Sequence, residues 1–145
     1  MNVHAYTRER VAELLGAAAS SDLIELADAC LGDGAELTVL TAPEVGTVAA
    51  QVREPIAYDR FFLGDVLACR AEVALGGARG WAVRMGDDRA ATLAAAVCDA
   101  EVQAGRPHAR AVLELCGRVE RDRYEAELAE WDRLAPTIVQ FEELT

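Results

Sequence analysis

The order of apolar and polar positions divides the chain into a helical stretch, an alternating stretch and a second helical stretch. After Thr7, placed to cap a first helix, Val11, Leu14, Leu15 and Ala18 recur at the three-to-four-residue spacing of one helix face. Asp22 followed by Glu25 has the form of a capping box and predicts a second helix with Leu23, Leu26, Ala27 and Cys30 on one side. Gly32 and Gly34 stop it. From Ala35 the period changes to two. Residues 37–40 predict a short strand ended by Pro43, and residues 46–53 a second strand with Val48, Ala50 and Val52 inward and Gln51 and Arg53 outward. A longer strand covers residues 61–75, with Cys69, Ala71, Val73 and Leu75 on one face. The turn Gly76-Gly77 leads back into residues 80–85, with Trp81, Val83 and Met85 inward. Connections this short cannot carry crossover helices, so the expected fold is α+β: an antiparallel four-stranded meander sheet flanked by N-terminal and C-terminal helices.

Asp88 is positioned to cap a helix running to about Ala104. Gly105-Arg106-Pro107 breaks the chain, and a further helical stretch runs over residues 109–134 with Leu113, Cys116, Tyr124, Leu128 and Trp131 as its apolar contribution. Pro136 ends it, and Ile138-Val139-Gln140-Phe141 reads as a short extended or docking tail. No repeat or linker divides the chain, so residues 1–145 are expected to form a single domain.

Composition sharpens this picture in three respects. The apolar fraction of 52% is far above that of disordered chains. No run of eighteen apolar residues offers a membrane span, and the first ten residues lack the pattern of a signal peptide, so a cytoplasmic location is the expectation. The net charge of −11 argues against a nucleic-acid partner, which requires a basic footprint. Every one of the basic side chains is arginine, so local anion binding by a few convergent guanidinium groups stays open.

Candidate chemistry is sparse. The four cysteines, Cys30, Cys69, Cys98 and Cys116, are widely spaced in apolar surroundings, a pattern that fits neither a zinc knuckle nor an iron–sulfur cluster held by this chain alone. The expectation is therefore no metal and no cofactor bound by this chain alone, with the cysteines as buried thiols. Ser20, Ser21, His4 and His108 cannot be assembled into a nucleophile–base pair from their positions. Gly76-Gly77-Ala78-Arg79-Gly80 lies between strands and reads as a hairpin turn, since a phosphate loop needs a helix start after it. Two places remain. The junction Gly86, Asp88, Arg89 opens a helix and reads either as an anion site or as a plain cap, with Asp87 and Asp88 themselves competing for the helix amides. The segment Arg60, Phe61, Phe62, Asp65 puts adjacent aromatics on opposite faces of a strand. Either helices cover both faces of the sheet, or the pair anchors a subunit contact together with Arg60, Asp65 and the tail residue Phe141.

These segments carry a family resemblance. Pro43-Glu44-Val45-Gly46, then Asp59-Arg60-Phe61-Phe62-Leu63-Gly64-Asp65, then Arg70-Ala71-Glu72-Val73-Ala74-Leu75, then Gly80-Trp81-Ala82-Val83 and Gly86-Asp87-Asp88-Arg89 follow one another in a telling order and spacing. On them the chain resembles the G-subunit (PhnG) family of phosphonate utilisation over nearly its whole length. It departs from the family pattern at Asp87 and at Ala90-Ala91, where an arginine and a histidine are usual, and in the tail at Ile138 and Glu142, where an arginine and a second phenylalanine are usual. The resemblance implies an accessory subunit of the carbon–phosphorus lyase core complex, assembled with H, I and J subunits. With the L subunit, the G, H and I proteins of that system make α-D-ribose 1-methylphosphonate 5-triphosphate from ATP and methylphosphonate. The alternative reading of the residues is a free-standing small α+β binding module or homodimer, in which the aromatic strand serves self-association.

Overall fold

The computed structural model describes residues 5–139. Its elements are α1 (Arg8–Ala17), α2 (Ser20–Leu31), β1 (Leu37–Arg53), β2 (Arg60–Leu75), β3 (Ala78–Met85), α3 (Arg89–Gln103) and α4 (Ala109–Leu134), followed by a 3₁₀ turn at Ala135–Thr137. The strands form an antiparallel sheet in the order β1-β2-β3. The fold is thus α+β with helices on either side of the sheet in sequence, but the sheet has three strands and not the expected four. The two strands expected over 37–40 and 46–53 are one strand, β1. Pro43 does not end it because β1 is an edge strand, where a missing amide donor is tolerated. Its pairing with β2 shifts between Val39 and Thr41 and again between Thr41 and Glu44, so bulges absorb the irregular stretch around Pro43.

Cys69, Ala71, Val73 and Leu75 of β2 face the helices and are buried, as their alternation predicts. On β3 the expected orientation is reversed. Their cross-strand partners are Arg84, Ala82, Gly80 and Ala78, so these residues, and not Trp81, Val83 and Met85, face the helices. The cause is close packing of α3. A Cβ at Gly80 would stand 2.1 Å from the Ala96 carbonyl oxygen and 2.5 Å from the Ala100 nitrogen, so only the smallest side chains fit on that face. Arg84 is accommodated because its guanidinium turns to the end of α1, donating to the carbonyls of Leu15 at 2.6 Å and Ala18 at 2.9 Å. Trp81, Val83 and Met85 project from the opposite face and are exposed. Helices therefore cover one face of the sheet, not both.

The core lies between that face and the helices, built from Val11, Leu14, Leu15 and Ala18, from Leu23, Ala27 and Cys30, and from the alanine-rich face of α3. α4 packs behind α1 and α3 through Val112, Leu115, Cys116 and Val119. Thr7 caps α1 by accepting from the Arg10 amide. The capping box expected at Asp22 is absent: α2 begins at Ser20, two residues earlier, so Asp22 lies within its first turn, where a carboxylate complements the positive helix end.

Candidate functional site

Two parts of the chain extend beyond this core. The first is the far half of the β1–β2 ribbon. β3 pairs with β2 only from Ala68 to Leu75, so residues 60–67 of β2 have β1 as their single neighbour. At the rise of a β-strand these eight residues reach about 26 Å. A register shift between Ala50 and Gln51 leaves Leu63 as an extra residue beside Gly64, whose φ of 148° suits glycine. Beyond this bulge Phe61 pairs with Val52 and Phe62 with Gln51. The two aromatics do lie on opposite faces, but neither is core-facing: Phe61 is 46% and Phe62 69% exposed.

The tip that closes the arm is organised by Glu54. Its carboxylate accepts the amides of Ile56 and Ala57, and its backbone bonds Asp59 and Tyr58. Tyr58 takes a φ of 60°, the one positive φ outside glycine among the described residues, which strains a bulky side chain. The result is that Ile56, at 87% exposure, and Tyr58 are held outward next to Phe61, Phe62 and Leu63. Arg53 and Arg60 face each other across the arm, an unfavourable like-charge pair. Arg60 and Asp65 are exposed and make no ion pair with each other. Sequence reasoning singled out Arg60, Phe61, Phe62 and Asp65, which the structure places exposed on this arm, but passed over Ile56 and Tyr58, because nothing in their spacing marks a turn tip.

The second extension is the end of α4. Residues 121–134 are exposed throughout, with Tyr124, Leu128 and Trp131 at the four- and three-residue spacing of one helix face. Ile138 and Val139 follow, also exposed. Phe141 lies outside the described residues.

The junction before α3 is a closed hydrogen-bond cluster. Asp88 accepts the Ala91 amide at 3.0 Å on one carboxylate oxygen and the Ser20 hydroxyl at 2.7 Å on the other. The Ala91 amide first, and then Ser20, hold its carboxyl below the usual range. Gly86 takes a φ of 97°, as the tight exit from β3 requires. Arg89 is exposed. The carboxylate of Asp88 thus takes up the Ala91 amide, one of the helix-start donors that an external anion would use.

Two buried carboxylates on α3 had no signal in the sequence. Asp99 accepts the Trp81 amide at 3.0 Å and the Arg8 guanidinium at 2.9 Å, tying β3 to α1. Glu101 accepts Arg106 Nε at 2.7 Å and the His108 amide at 2.9 Å, and Arg106 continues to Asp33 at 2.8 Å. This brings ligand atoms of Cys30, Glu101 and His108 within 4.8 Å of one another. Cys30, Cys69, Cys98 and Cys116 are all buried free thiols. Ser20, the serine nearest a candidate acid, is engaged with Asp88 and has no histidine base in its hydrogen bonds. Among the described residues no helix is long and apolar enough to cross a membrane.

A family model described as phosphonate metabolism protein PhnG matches residues 6–145. The chain belongs to the PhnG family. The known role of PhnG proteins is that of an accessory subunit in the carbon–phosphorus lyase core complex, so this chain takes part in a multi-subunit phosphonate-processing assembly. A search of curated proteins gave no significant match. PhnG membership gives the two extensions a context, since a chain working inside an assembly is expected to leave apolar surface for its neighbours.

Proposed function

We propose that this PhnG chain is a non-catalytic docking subunit that joins the H, I and J proteins, and works with L, in making α-D-ribose 1-methylphosphonate 5-triphosphate from ATP and methylphosphonate. The observation that carries the reading is the β1–β2 arm, where Ile56, Tyr58, Phe61, Phe62 and Leu63 are exposed together on a rigidly closed tip. Aromatic and large aliphatic side chains beside arginine are the composition of interface anchors. The facing pair Arg53 and Arg60 adds a preference for acid: a neighbouring subunit that relieved their repulsion would offer carboxylates at the rim of an apolar groove. The hydrogen bonding of Ser20 and the burial of the thiols favour a supporting role over a chemical one.

Co-expression with the H, I and J proteins tests this. Phe62→Ala and Tyr58→Ala are expected to weaken co-purification by at least tenfold, in keeping with the loss of about 2 kcal/mol at a hot spot. The melting temperature of the isolated chain should hardly change, because neither side chain is buried. Retention of the complex by both variants would overturn the docking role of the arm. A purified chain that self-associates through the arm and ignores the H, I and J proteins would support the homodimer reading instead.

A further inference from the structure

We infer that Cys30 on α2, Glu101 on α3 and His108 at the start of α4 form a binding site for a zinc-like divalent cation. The three donors come from separate elements and converge, with all ligand atoms within 4.8 Å of one another. His108 Nδ1 and Glu101 Oε1 are 3.7 Å apart, beyond hydrogen-bond reach. Two donors bound at about 2.1 Å to one tetrahedral ion lie roughly 3.4 Å apart, and a thiolate lengthens its edges slightly, so the Glu101–His108 edge at 3.7 Å is already near that spacing and the edges to Cys30, none above 4.8 Å, close by roughly 1 Å at most. The donor set of one thiolate, one imidazole and one carboxylate suits zinc and excludes magnesium or calcium as natural occupants.

The surroundings match this assignment. Glu101 is wholly buried, and its second oxygen is fixed by Arg106 Nε at 2.7 Å, an outer-sphere contact of the kind that orients a carboxylate ligand. The His108 amide donates to Glu101, locking the loop that carries the imidazole. Arg106 also pairs with Asp33. With Cys30 ionised, the three negative groups Cys30, Glu101 and Asp33 balance Arg106 plus a dication, so the loaded cluster is neutral. His108 is 41% exposed on its side chain, which opens the site to solvent on one side and leaves a fourth position for water.

The test uses the full chain, stripped with a chelator and titrated with cobalt chloride and zinc chloride. One cobalt per chain is expected, with a thiolate-to-cobalt charge-transfer band in the near ultraviolet that Cys30→Ser abolishes. His108→Ala, at a partly exposed position that the fold tolerates, is expected to weaken zinc at least tenfold against a chromophoric chelator. Zinc should raise the melting temperature of the native chain and not that of His108→Ala. Absence of stoichiometric binding, a cobalt spectrum without the sulfur band, or zinc affinity unchanged in His108→Ala would each overturn the assignment.

Discussion

Gly80 of β3 and Ala100 of α3 meet backbone to backbone, so closely that a Cβ on Gly80 would fall 2.5 Å from the Ala100 nitrogen. This contact sets the distance between sheet and helix layer, and with it the burial of Ala96, Val97 and Ala100. Gly80→Ala is expected to force the layers apart and to lower stability by about 3 kcal/mol or more, at the upper end of overpacking effects. Gly46→Ala, on an open stretch of β1 where a Cβ meets nothing within 4 Å, serves as the control and should change stability little. Denaturant unfolding of both variants checks the prediction, and equal midpoints would show that the layer spacing is not fixed at Gly80.

The same contact explains how much of the fold could be read from the sequence. Alternation on β2 was legible, because Cys69, Ala71, Val73 and Leu75 are uniformly apolar while Arg70 and Glu72 between them are charged. On β3 the rule that larger apolar residues point inward gave the wrong face: a helix lying this close leaves room only for Gly80 and Ala82 and expels Trp81 to solvent. Pro43 misled for a different reason. It breaks a central strand but not an edge strand, and edge position is a property of the whole sheet. The arm was half legible. Phe61 and Phe62 announce an unusual surface, whereas the tip depends on Glu54 folding back on Ile56 and Ala57, a local contact without a spacing rule. The Cys30, Glu101 and His108 cluster was invisible, since the motif rules for metal sites look along the chain and these donors meet only through packing of α2, α3 and α4.

The helix cap at Asp88 gives a prediction with a defined pH sign. Asp88→Ala removes the acceptor for Ala91 and Ser20 and is expected to lower the melting temperature at neutral pH by roughly 2–6 °C, the usual scale for losing a cap in a chain of this size. Arg89→Ala should leave it unchanged, because Arg89 is exposed and outside the cap. The Asp88 carboxyl is held below its ordinary range by the Ala91 amide and then by Ser20. Its contribution is therefore complete above the ordinary carboxylate pKa of about 3.9 and is lost as pH falls through the lower value of the folded chain. Thermal melts at pH 7 and pH 3 should show the gap between native chain and Asp88→Ala narrowing in acid. If Arg89→Ala instead selectively weakens nucleotide or phosphonate-ester binding by the assembled complex, the junction is an anion site and the cap reading fails.

Cys116 gives the corresponding prediction on the alkaline side. It lies fully buried on the inner face of α4, and burial, reinforced by the charge of Glu120, pushes its thiol up to about 11. In the unfolded chain the thiol returns to its ordinary value near 8.5–9, so between about pH 9 and pH 11 the unfolded state releases a proton that the folded state keeps. Stability carried by the neutral thiol is thus fully present below the unfolded pKa and declines as pH rises toward the folded value. A shift of this size corresponds to a loss on the order of 2–3 kcal/mol across that window. Other groups also titrate there, so the comparison is with Cys116→Ala. That variant leaves a small cavity and should be less stable at pH 7, by about 1–2 kcal/mol, yet lose less on going to pH 11. Urea unfolding at half-unit steps from pH 8 to pH 11 is expected to show the two stability curves converging and meeting at roughly pH 10–11. Curves that stay parallel over the whole range would show that the Cys116 thiol does not titrate differently in the folded and unfolded chain.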